Sequence, residues 1–287
     1  MKCIGKTGFI WGRKARDGVL YALMAAAAVF VMVILIFIIG YIITQSAGFF
    51  NLSFIFGGES GGLLPMIVTT VYITGLSLVI ALPIGVITAL YLNEYARDSG
   101  AIRMIRLAIE TLAGIPSILF GLFGLLAFCR FFGMGQSIAA GAATLSIMIL
   151  PVIIRTTEES LKTIPTELRQ ASLALGATRF QTIVHITVPG ALPGILTSAI
   201  LAIGRVVGES APVLLTVGIA RNLPRSIFDS GRTLTIHLYY LTKESIHRDD
   251  FGKAFATAGV LVIVVLVINC AAKIIASGAR GRGAKRQ

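Results

Sequence analysis

"LRQASLALGATRFQTIVHITVPGALPG" (Leu168–Gly194) places Arg169, Gln170, Arg179, Gln181 and His185 at helical spacing in an otherwise strongly apolar chain. Such a stretch cannot cross a bilayer, because a charged side chain at mid-depth costs about 2.5–3.5 kcal/mol even on the lenient insertion scale. Yet it lies between two runs that can cross one, and this placement organises the reading of everything around it.

Of the 287 residues, 56% are hydrophobic and 13% charged, where a soluble domain carries roughly a quarter charged residues. The apolar content comes in blocks of about 20 residues, the length at which a helix spans the hydrocarbon core. Unbroken runs, rather than short alternating ones, select helices over a barrel. An all-α membrane protein with six transmembrane helices follows, at about 19–44, 64–92, 107–128, 137–154, 191–215 and 254–276. The first run is too long for the apolar region of a signal peptide and no small-residue cleavage site follows it, so it reads as an uncleaved helix.

Basic residues alternate in density between the two sides. The N-terminal arm (Lys2, Lys6, Arg13, Lys14, Arg16), the 97–106 connection, the loop with Arg155, Lys162, Arg169 and Arg179, and the tail from Lys273 to Arg286 hold most of the 25. The positive-inside rule puts these segments and both termini in the cytoplasm. The outer loop 216–253 goes against that trend with six basic residues. It is long enough for a short interfacial helix, in which Tyr239 and Tyr240 suit the headgroup region. The net charge of +12 is thus a matter of topology, not of nucleic acid. Cys3, Cys129 and Cys270 are odd in number and scattered, which excludes a disulfide framework and a paired-cysteine metal site.

Within the spans, Gly75, Gly85, Gly114, Gly121, Gly124 and Gly141 permit close helix approach. Pro83, Pro116 and Pro151 each remove a backbone donor and can kink a helix. In the opening stretch, Pro165 precedes a helix from Thr166 to Leu175, with Glu167 in its first turn and Gly176 at its end. A second helical stretch, Thr178 to Val188, is expected to stop at Pro189. Ala171, Ala174 and Leu175 give the first helix one low-profile side. That side fits either a groove in another protein or a lipid surface.

"AIGRVVGESAPVLLT" sets Arg205 and Glu209 inside the fifth span, four residues apart and so on one helix face. Gly204 and Gly208 keep the same spacing on the adjoining strip and would let another helix approach. Two roles fit the charges: an ion pair fixing helix register, or the polar lining of an anion path. Arginine suits phosphate through its planar fork of donors. A carboxylate beside it would keep binding weak enough for release.

The opening stretch resembles the coupling motif of ABC-importer permeases at Gln170-Ala171-Ser172, Gly176, Ile186, Val188 and Pro189, with Gln, Ser and Val where that motif has Glu, Ala and Leu. "LPVIIRTTEESLKTIPTELRQASLALGATRFQTI", "GRVVGESAPVLLT" and "IETLAGIPSILFGLFG" are similar to PstA-type permeases of phosphate ABC importers over roughly residues 64–275. The resemblance implies a type I (MetI-like) permease fold in which Gln170, Ala171, Ser172 and Gly176 couple to a cytoplasmic ATPase. It implies that Arg205 and Glu209 lie on the phosphate path. It also implies a homologous PstC-type permease, an ATPase dimer and an extracytoplasmic phosphate-binding protein as partners, beside membrane lipid. On that reading the chain is no enzyme and holds no cofactor, ATP and Mg being bound by the ATPase. Indeed "GKT" at Gly5–Thr7 lacks the earlier glycine of a phosphate-binding loop. The chain then divides into an arm, first helix and outer segment (1–63), a permease domain (64–276) with coupling loop 155–190, and a basic tail (277–287).

Three other readings are distinguishable. A PstC-type subunit, or a permease for sulfate or molybdate, keeps the fold and changes partner or cargo. A channel or secondary transporter leaves the coupling motif without purpose. An intramembrane hydrolase built on Ser210 lacks a full nucleophile elbow and a histidine within reach.

Overall fold

The computed structural model describes residues 7–49, 52–57, 62–96, 99–244 and 248–284, and every regular element among them is helical. In chain order these are α1 (Thr7–Ser46), α2 (Leu52–Phe56), α3 (Leu64–Leu90), α4 (Gly100–Gly114), α5 (Ser117–Gly124), α6 (Ile138–Lys162), α7 (Thr166–Ala174), α8 (Arg179–Thr182), α9 (Val188–Gly208), α10 (Ala211–Thr216), α11 (Leu234–Glu244) and α12 (Arg248–Ala284). π-helical turns extend α3 (Tyr91–Tyr95) and α5 (Leu125–Phe131) and join α8 to α9 (Ile183–Thr187). The outer segment 58–61, with Glu59, and the last tail residues 285–287 lie outside the described residues.

Five stretches are individually long and apolar enough to cross a membrane: 17–46, 64–95, 138–162, 179–208 and 251–274. The expected third span, 107–128, is not one helix. Gly114 closes α4, Ile115 is extended (φ −70°, ψ 132°), Pro116 starts α5, and the two helix axes meet at 102°. A residue before proline is driven out of the helical region by the ring, and here the glycine on its other side offers no resistance. The sixth crossing exists only if this bent pair is counted as one. α4 is amphipathic, with Arg103, Arg106 and Glu110 interleaved among Ile102, Ile109 and Leu112, a pattern that suits an interface better than a bilayer interior.

α6 is the hub. Of its most apolar window 72% is buried, against none of that in α1. Around it α3, α5, α9 and α10 close a core of Ile73, Leu145, Met148, Ile149, Ile153 and Val206, all at most 2% exposed. Small residues set the spacing. A Cβ on Gly85 would come within 2.6 Å of Ile153, and one on Gly124 or Gly141 would strike Thr144 or Val217. Gly75 and Gly114, also expected to admit a neighbour, face open space within this chain. Hydroxyls tie the same helices: Ser146 Oγ donates to the Ser77 carbonyl (3.1 Å) and Ser77 Oγ to that of Ala142 (3.3 Å). With no driving force from water, such close packing and interhelical hydrogen bonds hold membrane helices together.

α1 stands apart, its side chains exposed along nearly the whole apolar run, and it meets α12 where Tyr41 packs edge-on to Phe255 at 5.6 Å. The 163–187 segment lies at one end of the bundle, where α6 ends and α9 begins. The 217–233 connection and α11 lie at the other, where Ser137 N donates to the Thr216 carbonyl and Ile138 N to that of Asp229.

Candidate functional site

α9 carries Arg205 in its last turn and ends at Gly208. The helix stops because Pro212 has no N–H for the Gly208 carbonyl, and its ring would clash there. Glu209 is therefore extended (φ −77°, ψ 135°), and α10 restarts beyond Ser210. The expected continuous span 191–215 is broken at this point, so Arg205 and Glu209 do not share a helix face. They still pair, Arg205 Nε lying 3.9 Å from Glu209 Oε1 with the side chains 29% and 17% exposed. At that distance the contact is coulombic rather than a hydrogen bond.

The break is held from α11. Thr235 Oγ1 donates to the Glu209 carbonyl at 3.0 Å and sits 2.9 Å from Thr233 Oγ1. α11 is the short helix expected in the outer loop, but its first turn is buried: Leu234, Ile236 and His237 are 0%, 0% and 7% exposed. Burial pushes His237 down to about 4, and Arg232 and then Arg221 add to the shift. The imidazole is thus neutral at physiological pH. Gly204 and Gly208 meet no atom within 4 Å of an added Cβ. No described element of this chain packs on that strip, so the pair borders a side of α9 that the chain leaves open.

At the opposite end, α7 spans Thr166–Ala174 behind Pro165, with Glu167 in its first turn, close to expectation. Gly176 adopts φ +87°, its N–H donates to the Leu173 carbonyl (3.0 Å), and that of Ala177 donates to Ser172 (3.2 Å). This is the double hydrogen bond of a left-handed helix cap, which favours glycine. Gln170, Ala171, Ala174 and Leu175 are exposed, Leu175 by 89%, and Ser172 is half-buried with its hydroxyl 2.9 Å from that of Thr182. The second helix does not stop at Pro189. Thr178 and Gln181 form a reciprocal cap, the π-helical turn follows, and the chain runs on into α9 through Pro189 and Pro193. A π turn shifts hydrogen bonding by one residue, so Pro189 sits in the opening turn of α9, where a missing donor costs little.

The sequence pattern of the family described as "binding-protein-dependent transport system inner membrane component" matches residues 81–281. The chain belongs to this family. Over 279 residues it is 34% identical to a probable ABC transporter permease protein, YqgI, of Bacillus subtilis, covering 91% of this chain and 95% of that one. It is 38% identical over 216 residues to the phosphate transport system permease protein PstA 1 of Mycobacterium tuberculosis, covering 75% and 71%. Its fold matches an inward-facing structure of the MetNI methionine ABC transporter with a TM-score of 0.60, at 24% identity, over 76% of this chain and 94% of that one. This is a multi-pass, MetI-type permease fold.

Between the two predicted groups the permease has no direct contact: Arg205 and Glu209 lie near one end of α9, and Gln170, Ala171, Ser172 and Gly176 lie before its other end. Sequence reasoning missed the ion pairs around that second end. Glu158 takes Arg106 and Lys162 (the latter at 3.2 Å), Arg155 meets Glu110 at 3.3 Å, and Arg169 meets Glu94 at 3.0 Å. The signal was present in "IIRTTEESLK", where Arg155, Glu158, Glu159 and Lys162 keep helical spacing beyond the apolar run. α6 simply continues two turns past its expected end at 154.

Proposed function

We propose that this permease is the transmembrane subunit of an ATP-driven importer that moves inorganic phosphate across the cytoplasmic membrane by alternating access. The observation that carries the reading is the condition of Arg205. It engages Glu209 through Nε alone, and no described group accepts a hydrogen bond from its two terminal nitrogens. A free guanidinium fork beside an open strip of α9 is what a transient oxyanion needs. Glu209 competes for the same cation, which keeps the anion from being trapped. The permeases of phosphate systems among its relatives support phosphate as the cargo.

In this scheme both termini are cytoplasmic, and Gln170, Ala171, Ser172 and Gly176 form the seat of a cytoplasmic ATPase dimer that binds ATP and Mg. A homologous PstC-type permease closes the open side of α9, and an extracytoplasmic phosphate-binding protein delivers cargo near α11. The left-handed turn at Gly176 gives the exposed α7 a fixed angle, which a docking element requires. The chain itself then holds no cofactor and performs no hydrolysis.

The test is uptake of radiolabelled phosphate, with sulfate in parallel, in cells lacking this chain and complemented with wild type, Arg205→Gln or Glu209→Gln. Restoration of phosphate uptake by wild type only, with all three chains in the membrane, is the expected result. Sulfate uptake that depends on the chain while phosphate uptake does not would leave the fold standing and replace the cargo.

A further inference from the structure

α7 has no buried residue of its own. Leu168, Leu173 and Leu175 are 52%, 44% and 89% exposed, and a cavity of about 220 Å³ lined by Glu94, Arg169, Leu173, Arg179, Thr182 and Ile183 lies between the helix pair and the end of α3. Apolar packing therefore does not fix α7 to the membrane bundle. Among the described residues, what crosses the gap is one side chain. Arg169 Nη1 reaches Glu94 Oε1 at 3.0 Å, and Nη2 donates to the Leu161 carbonyl at 2.7 Å. The pair is largely withdrawn from water, with side chains 19% and 14% exposed, so solvent screens it far less than a surface pair.

Both anchor points belong to membrane helices. Glu94 sits on the π-helical turn that extends α3, and its Oε1 is also held by Asn93 Nδ2 at 2.9 Å. Leu161 is fully buried in the last turn of α6, where carbonyls lack intrahelical partners and welcome a cation. One guanidinium thus grips two crossings at once, through two nitrogens held at a fixed angle. A lysine offers a single point charge and cannot reproduce that geometry.

We propose that Arg169 is the positioning residue that ties α7 to the bundle, so that a displacement of α7 reaches α3 through Glu94 and α6 through the Leu161 carbonyl. The proposal rests on α7 being the seat of the ATPase. It adds the load path from that seat to α3 and α6, which the seat residues do not supply: Ser172 reaches only Thr182, at the start of the 179–208 stretch.

The experiment uses the complete importer in proteoliposomes: this permease, its partner permease, the ATPase and the phosphate-binding protein. Phosphate moved per ATP hydrolysed is measured, along with retention of the ATPase on purification. The variants are Arg169→Gln, Glu94→Gln, Arg169→Lys and the exchange Arg169→Glu with Glu94→Arg. Each neutral variant should keep the ATPase and its hydrolysis but lower phosphate per ATP by at least about fivefold, the lower end of ordinary coupling between sites. Arg169→Lys should recover part of the loss, and so should the exchange, which restores the contact between positions 94 and 169 but not the one to the Leu161 carbonyl. A wild-type ratio in both neutral variants overturns the proposal. If a neutral variant sheds the ATPase, the exchange decides: recovered attachment and ratio support the tie, and failure of both overturns it. Gly176→Pro run alongside separates the two readings. If it leaves attachment and ratio intact, the docking role of α7 fails; if it uncouples while Arg169→Gln does not, only the tie fails.

Discussion

Two arginine–glutamate pairs flank α9, and they are built differently. Near its α11 end, Arg205 and Glu209 stand 3.9 Å apart with a single contact, beside a strip the chain leaves open. Near its α7 end, Arg169 and Glu94 meet at 3.0 Å, and the arginine's other terminal nitrogen is occupied by a carbonyl at 2.7 Å. The same two residue types thus serve opposite ends. A guanidinium with both terminal nitrogens engaged is a fixture, because moving it breaks an ion pair and a hydrogen bond together. A guanidinium with its fork unoccupied can exchange partners at small cost, which is the property a cargo site requires.

The largest effect should come from emptying the loose pair of its cation. Arg205→Gln is expected to lower phosphate uptake by at least about tenfold, since hydrogen bonds to a charged group carry about 1.5–3 kcal/mol. Exchanging the pair, Arg205→Glu with Glu209→Arg, should leave uptake low in the same transport assay. The exchange at Arg169 and Glu94 should restore part of it. Recovery by both exchanges, or by neither, would erase the distinction drawn between them.

The frame that holds both pairs can be loosened on its own. Gly124→Val forces a branched side chain against Thr144 and is expected to cost about 1–3 kcal/mol, seen as a lower unfolding temperature in detergent. Gly204→Ala, whose added methyl meets nothing among the described residues, should leave that temperature unchanged. A comparable loss at Gly204 would mean that the strip beside Arg205 is covered, and that the loose pair is a buried one.

The smallest effect concerns the buried first turn of α11, whose Thr235 holds the break beside the loose pair. His237 follows Thr235 by two residues and is held near 4, below the 6.5 of a free imidazole, chiefly by burial. Between those values the unfolded chain binds one proton more than the folded chain, so stability rises with pH across that window and is lost on acidification. The loss should be at most about 1.4 kcal/mol per pH unit below about pH 6.5. Unfolding followed at pH 7 and pH 5 should show it, and His237→Gln should flatten the response.

Much of this was legible in the residues themselves. The apolar blocks marked the crossings because only a helix of that length satisfies its backbone in lipid, and the 19–44, 64–92 and 254–276 runs lie within observed helices. Gly176 announced its left-handed turn, and Pro165 and Glu167 announced the start of α7, since these are local effects of one or two residues. Where several breakers acted together the reading failed. Gly114 with Pro116 turned an expected span through 102°, whereas Pro189, expected to stop a helix, sits in one. A proline removes a donor and crowds the turn before it, yet Pro83 and Pro151 also lie inside α3 and α6, so a proline alone does not decide where a helix ends.

The sequence by itself determined the class of the molecule, the number of apolar runs within one, the polar segment between two of them and the presence of charges in the fifth. Each depends on spacing along the chain, which hydropathy and helical period translate directly into structure. The tertiary structure alone decided which charges distant in the chain meet. Arg169 and Glu94 lie 75 residues apart, and nothing local distinguishes them from other loop charges until α3, α6 and α7 converge on one end of the bundle. It also decided that Arg205 is loosely held, because the Gly208–Glu209 break swings the carboxylate off the helix, and no neighbour among the described residues tightens the pair.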